Sequence, residues 1–346
     1  MIPTRQSKQG WDQNDTKTES PVTVAIELHL HLEGSLRPER ISALAQQYGR
    51  PDVVRACLTD DGLALRPCRD FPDFLELFKA TTSVLRTPAD HHAVALDLGE
   101  ALAEQGVKYA EVTVAYGVLQ KRGFDPVPIQ RALWEASDEI FGHHGLHLRW
   151  QPDATRQWGP DAAWRVLEDA LRAGAGLGVV AFGLGGDEAA LPVAEFAPHF
   201  REARRDGLGT TCHAGETGGP DSVRDAVLIA GVTRVGHGVG AAADQDVLRL
   251  LAETGVHVEM CPGSNVATGV LACREDHPMR AFLEAGISCN LNTDDPTFFN
   301  TTLADELSEA MRLLGLTKGE AKAMEVSALA ASFAPDPVRQ AVAALI

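Results

Sequence analysis

A parallel (β/α)8 barrel of the TIM type is the fold class this sequence predicts, and three observations carry that prediction. Short apolar runs alternate with amphipathic, helix-like stretches; there are eight such runs; and they are apolar on both faces, as parallel strands buried on two sides must be. The runs are "VTVAIELHL", "KYAEVTVAY", "LHLRWQ", "VVAFGLG", "LGTTCHA", "TRVGHG", "VHVEMCP" and "ISCNLNT". Between them lie segments such as "DAAWRVLEDALRAG", "SVRDAVLIAG", "DQDVLRLLAETG" and "HPMRAFLEAG", each closing on a glycine where a helix should stop. An open doubly wound sheet is the rival architecture, but no GxGxxG turn follows the first run.

The first crossover is too long for a simple one. From Leu36 to about Gly106 it reads as mostly helical and includes "FPDFLELFKATTSVL", which predicts a helical insertion after strand 1 capping the barrel mouth. Residues 21–346 then form one barrel domain with a cap over about 36–106. Residues 1–20 lack the apolar core of a signal peptide and are expected to be a disordered tail.

Composition narrows the function classes. Of 346 residues, 45% are apolar and 23% charged, enough for a large core. The formal net charge of −17 opposes a nucleic-acid backbone or an anionic membrane as partner and leaves a small-molecule substrate. Six cysteines without a CxxC pair read as reduced residues of a cytoplasmic protein. No window reaches the roughly 18 apolar residues that a membrane span needs. The oligomeric state is left open.

The polar residues fall in a pattern. In "IELHLHLEGS" the imidazoles of His29 and His31 share one side of a strand, because residues i and i+2 face the same way, and Glu33 follows on that side. "TCHAGET" puts His213 and Glu216 after strand five, "RVGHGV" puts His237 at the end of strand six, and "LNTDDP" puts Asp294 and Asp295 at the end of strand eight. All lie at carboxyl ends of strands, the rim where barrels of this type assemble active sites. Packing explains such a set poorly, since each buried polar group without a partner costs free energy. Three imidazoles and one carboxylate suit zinc with an open position for water, whose pKa falls to roughly 7 when bound. His29, His31, His213 and Asp294 are the expected ligands. His237 is placed to orient the water and take its proton, and Glu216 to donate a proton if its surroundings hold it neutral.

The motifs "HLHLEGS", "GGDE", "CHAGE", "VGHGV", "CPGSN" and "NTDDP", in this order from strand one to strand eight, resemble those of the adenosine deaminase family. The resemblance implies a hydrolytic deaminase with one zinc ion per chain, exchanging the 6-amino group of an adenine nucleoside for oxygen and releasing ammonia. It further implies that Glu216 protonates N1, Asp295 hydrogen-bonds N7, the backbone of Gly186 meets N3, and Glu33 faces the ribose. The second strand departs from the common adenosine enzymes, reading "EVTVAYGVL" with Thr113 and no proline, and the third runs into "QPDATRQWGP". Both are more similar to the branch acting on 6-aminodeoxyfutalosine, an adenine nucleoside of menaquinone biosynthesis with an aromatic carboxylate on its 5′ side. Gly117 and Ala115 would give that group room, and Arg156 would pair with its carboxylate. Adenosine or deoxyadenosine is the alternative substrate. A two-metal barrel amidohydrolase is a more distant one, and would want a bridging carboxylate or lysine near the end of strand four, where "VVAFGLGGDE" has no lysine. A catalytically inactive binding protein would not need Glu216. His91, His92, His143, His144 and His147 are expected to be solvated, His257 and Cys261 to be packing residues, and Ser264 and Asn265 to brace the site.

Overall fold

The computed structural model describes residues 25–346, so the expected tail over 1–20 lies outside the described residues. Eight strands pair in parallel and in chain order: β1 (Ile26–His31), β2 (Tyr109–Val114), β3 (His147–Thr155), β4 (Ala181–Gly185), β5 (Gly209–Ala214), β6 (Arg234–His237), β7 (His257–Met260) and β8 (Cys289–Leu291). Every one falls within or overlaps an apolar run read from the sequence, and helices follow each strand in the manner of a TIM-type barrel. β3 extends past its run to Thr155, whereas β7 and β8 are shorter than theirs.

The seam between β8 and β1 is closed partly by side chains. Asn292 Oδ1 accepts from the backbone N–H of Leu28 (2.8 Å) and His29 (3.1 Å), and the backbone N–H of His31 donates to the Asp294 carbonyl (2.8 Å). In β1 the pairing with β2 shifts register between Glu27 and Leu30, a bulge of the kind that re-aims side chains next to functional sites. Glu325, in the helix Lys318–Ala331, accepts from the N–H groups of Ala25 and Ile26 and so fixes the start of β1.

The crossover from β1 to β2 contains α1 (Pro38–Gln47), α2 (Pro51–Cys57), α3 (Phe71–Thr82) and α4 (Pro88–Glu104). They differ in position. After β2 come α5 (Tyr116–Lys121) and α6 (Pro126–His144); α4 packs along α6 as an outer helix of the barrel, whereas α3 turns phenylalanines toward the barrel mouth. Capping boxes at Thr87, Thr302 and Thr317 start three of the helices. His91, expected on the surface, is buried in α4 with its Nδ1 on the Thr87 carbonyl; the helix turns that face inward against the barrel.

Beneath the rim the barrel is crossed by charge. Arg234 on β6 pairs with Glu111 on β2 (2.6 Å) and Glu259 on β7 (2.6 Å), and all three are fully buried. Tyr109 and Gln151 donate to Glu111 as well. Such a network holds only because each charge has partners; removing one leaves another buried and uncompensated.

Candidate active site

The strand ends bring six side chains into two overlapping groups. Ligand atoms of His29, His213, His237 and Asp294 all lie within 4.8 Å of one another, and a second group joins His31, Asp294 and Asp295. Asp294 is common to both: its Oδ1 stands 3.4 Å from His29 Nε2 and 3.2 Å from His31 Nε2, and its Oδ2 is 3.9 Å from His237 Nε2. The rings of His29 and His213 are 4.6 Å apart, those of His31 and His213 5.5 Å.

Other side chains aim this cluster. His29 Nδ1 meets Glu259 Oε2 at 2.6 Å, which leaves Nε2 facing the cluster. Ser264 Oγ donates to Asp294 Oδ2 (2.6 Å), and the Asn265 amide meets His237 Nδ1 (3.1 Å), so the two residues expected to brace the site do contact it. His237 and Asp294 both have backbone φ in the left-handed region, 63° and 66°. For non-glycine residues that costs about 1–3 kcal/mol each and persists where surrounding structure enforces it, commonly at functional sites. Buried His29 Nε2 and His237 Nε2 have no hydrogen-bond partner. Converging imidazole nitrogens left unpaired around a carboxylate are what a bound cation would satisfy, so the donor set fits a divalent metal of the zinc type.

The acid–base groups stand beside it. Glu216 Oε2 is 3.8 Å from His237 Nε2. Burial, reinforced by the Asp294 charge, pushes the Glu216 carboxyl up to about 8, and the same two causes raise Asp295 to about 8. Burial lowers His237 to about 4. Asp294 goes the other way: burial opposes its charge, but the imidazoles of His29 and His31 close beside it outweigh that and hold the carboxyl well below its usual range.

A cavity of about 550 Å³ opens above the cluster. Of the expected site residues, His31, Gly186, His213, Glu216, His237, Asp294 and Asp295 line it. His29 lies in the cluster beneath. Glu33 sits in the turn after β1 with Oε1 accepting from the Ala115 N–H (3.1 Å) and Oε2 buried without a partner. Gly34 is required by contact, because a Cβ there would stand 1.8 Å from Asp295 Oδ1.

Arg156 is placed differently from the expectation. It is buried, and its guanidinium donates to the carbonyls of His213 (2.6 Å) and Leu191 (3.2 Å) rather than facing the cavity. The tight turn Arg156–Trp158 directs it between strand ends, while Gln157 and Trp158 face the cavity. Gly117 also serves packing: a Cβ there would meet Thr155 Oγ1 at 2.6 Å, so it makes room for β3, and Ala115 alone of the two lines the cavity.

Three residues had no role in the sequence reading. Glu259 orients His29. Glu188, inside "GGDE", accepts from the N–H groups of Gly215 (2.6 Å), Thr217 (3.0 Å) and Gly218 (2.7 Å) and from Ser222, holding the loop on both sides of Glu216. Asp153 on β3 is buried at the cavity wall, and burial raises its carboxyl to about 7. The available signal was the same for Glu259 and Asp153: a carboxylate inside an otherwise apolar strand.

Comparison with known proteins agrees with this geometry. Residues 25–346 match the family model described as adenosine deaminase. An adenine deaminase of Sinorhizobium medicae is 36% identical over 320 residues, covering 92% of this chain and 97% of that protein. An aminodeoxyfutalosine deaminase of Streptomyces avermitilis is 35% identical over 314 residues, covering 89% and 86%. Among solved structures, an amidohydrolase of Burkholderia ambifaria with bound zinc shares the fold with a TM-score of 0.81 at 23% identity, over 93% of this chain and 89% of that one. The chain belongs to the adenosine deaminase family, the metal-dependent enzymes that deaminate adenine-type substrates by hydrolysis.

Proposed function

We propose that this protein holds one zinc ion through His29, His31, His213 and Asp294 and deaminates an adenine nucleoside, with 6-aminodeoxyfutalosine as the favoured substrate. The observation that carries the reading is the unpaired imidazole nitrogens converging on Asp294, with the raised carboxyl of Glu216 beside them at the floor of the cavity. Zinc bound there would lower the pKa of a water to roughly 7, so that hydroxide, the nucleophile for C6, would be available near neutral pH.

The chain's own residues do the rest. Glu216, neutral through burial, donates its proton to purine N1 and makes C6 more electrophilic. His237 turns Nε2 toward the cluster. With the Asn265 amide turned so that its otherwise unpartnered oxygen accepts from Nδ1–H, Nε2 is the free base that would take a proton from the attacking water and pass it to the departing ammonia. Purine N7 offers only a lone pair, so Asp295 donates to it in its protonated form. The backbone of Gly186 meets N3, and Glu33 reaches the ribose through its free oxygen. The helices α1–α3 act as the cap.

Two features favour the longer nucleoside. The cavity continues past the metal cluster between α3 and Trp158, and a 35% identical relative is an aminodeoxyfutalosine deaminase. Free adenine is a second reading, favoured by the 36% identical adenine deaminase; adenosine is the third. The six cysteines are unpaired, which fits a cytoplasmic site of action, and among the described residues no helix is long and apolar enough to cross a membrane.

The test is metal analysis joined to a substrate comparison. One equivalent of zinc, activity lost on chelation and restored by zinc, and the largest kcat/KM with 6-aminodeoxyfutalosine are expected. Two equivalents would favour the two-metal reading. A larger kcat/KM for adenine or adenosine would replace the substrate and leave the reaction in place.

A further inference from the structure

The reassignment of Arg156 to backbone carbonyls leaves the distal end of the cavity without the cation first expected there. Three other cations line it: Lys79 on α3, Lys121 at the end of α5, and Arg122 just after it. Arg122 is committed, donating to the Thr82 carbonyl (2.7 Å) and hydroxyl (2.9 Å), and so ties α5 to the end of α3. The two lysines are not committed in this way. Lys79 has only an exposed partner, Glu76 at 3.6 Å, a pair worth little in water. Lys121 forms no ion pair among the described residues, and its ammonium stands 5.8 Å from the centre of the Trp158 ring.

Aromatic surface accompanies these charges. Phe71, Phe74 and Phe78 of α3 line the same cavity, with the rings of Phe74 and Phe78 5.9 Å apart, and Trp158 lines it too. Of the acidic groups that line the cavity, Asp153, Glu216, Asp294 and Asp295 belong to strands and strand ends at the metal cluster, whereas Glu76 stands on α3 beside Lys79. Lys121 is thus the rim lysine set apart from every lining carboxylate by position. Two cations with aromatic surface, on a chain of net charge −17, make a local preference that the whole-molecule field does not supply.

We propose that the outer cavity is a subsite for an anionic group on the 5′ side of the substrate, with Lys121 and Lys79 as its counter-charges and Trp158 and the α3 phenylalanines as the walls for the apolar part between. This rests on the nucleoside reading above and adds the residues that set its specificity. A carboxylate on an aromatic ring and a 5′-phosphate share this chemistry; the flat apolar walls favour the first.

The experiment compares kcat/KM for 6-aminodeoxyfutalosine, AMP and adenosine in the zinc-loaded enzyme, and reads the ratio of each anionic substrate to adenosine. Lys121→Glu should lower the 6-aminodeoxyfutalosine ratio by about tenfold, as expected when a screened attraction becomes a repulsion. Lys121→Arg should keep the ratio within about twofold. Adding Lys79→Glu should deepen the loss, and raised salt should shrink the wild-type ratio. A ratio unmoved in the doubly reversed enzyme overturns the subsite even where the wild type prefers 6-aminodeoxyfutalosine. A wild type that prefers AMP, with that preference lost in Lys121→Glu, keeps the subsite and replaces the substrate. A wild type that favours neither anionic substrate over adenosine overturns both.

Discussion

Glu259 on β7 and His29 on β1 are joined by a 2.6 Å contact between Oε2 and Nδ1, although 230 residues separate them in the chain. The contact fixes the tautomer, since a proton held on Nδ1 leaves Nε2 as the free donor of electrons to a cation. The same carboxylate pairs with Arg234, so the orientation of the His29 ring is braced from the interior of the barrel. Glu259→Gln should weaken metal affinity by roughly 10- to 100-fold. Competition with a chelator of known affinity would measure it, and an unchanged affinity would remove Glu259 from the metal's support.

Glu216→Gln should leave metal content near that of the parent and cut kcat by on the order of a hundredfold or more, the usual contribution of a general acid. Single-turnover rates alongside metal analysis separate the two effects. Turnover close to the parent's would exclude Glu216 as the proton donor.

The Glu216 carboxyl is raised from its ordinary 4.5 to about 8, so its neutral form persists through neutral pH and is lost as pH climbs past that value. Donation to N1 needs the neutral form. The kcat/KM profile should therefore fall on its alkaline side, with a midpoint at or below about 8 because a bound cation pulls the value down. A profile flat to pH 9 would contradict this assignment.

His31 and His237 both approach Asp294, and their proposed roles differ. His31→Ala should lose most of the metal, whereas His237→Ala should retain it and lose turnover. Equal metal loss in the two variants would move His237 into the ligand set.

Gly34→Ala should be inactive. The added methyl would overlap Asp295 Oδ1 and come within 2.7 Å of the Asp295 Cα, so either the turn after β1 or the "NTDDP" segment must move. Circular dichroism and thermal melting would show whether the variant folds; a folded variant with full activity would mean the two segments are not in register as described.

Much of the site was legible because parallel barrels put chemistry at carboxyl ends of strands, and the sequence marks those ends with histidines and carboxylates in apolar runs. His29, His31, His213, His237 and Asp294 could be placed by that rule without knowing a single contact. Arg156 could not. Its position at the end of β3 was right, but the direction of its side chain is set by a tight turn and by the carbonyls of His213 and Leu191, which no local pattern announces. Glu188 and Glu259 were hidden for a related reason: their value lies in partners 27 or more residues away. His91 was misplaced because a polar residue on a helix reads as solvated unless the neighbouring face is known to be covered.

The buried Arg234, Glu111 and Glu259 plug the barrel below the reacting centre. Traffic to the cluster along the barrel axis is therefore blocked from that side, and whatever reaches it through the interior comes by way of the cavity at the carboxyl ends of the strands.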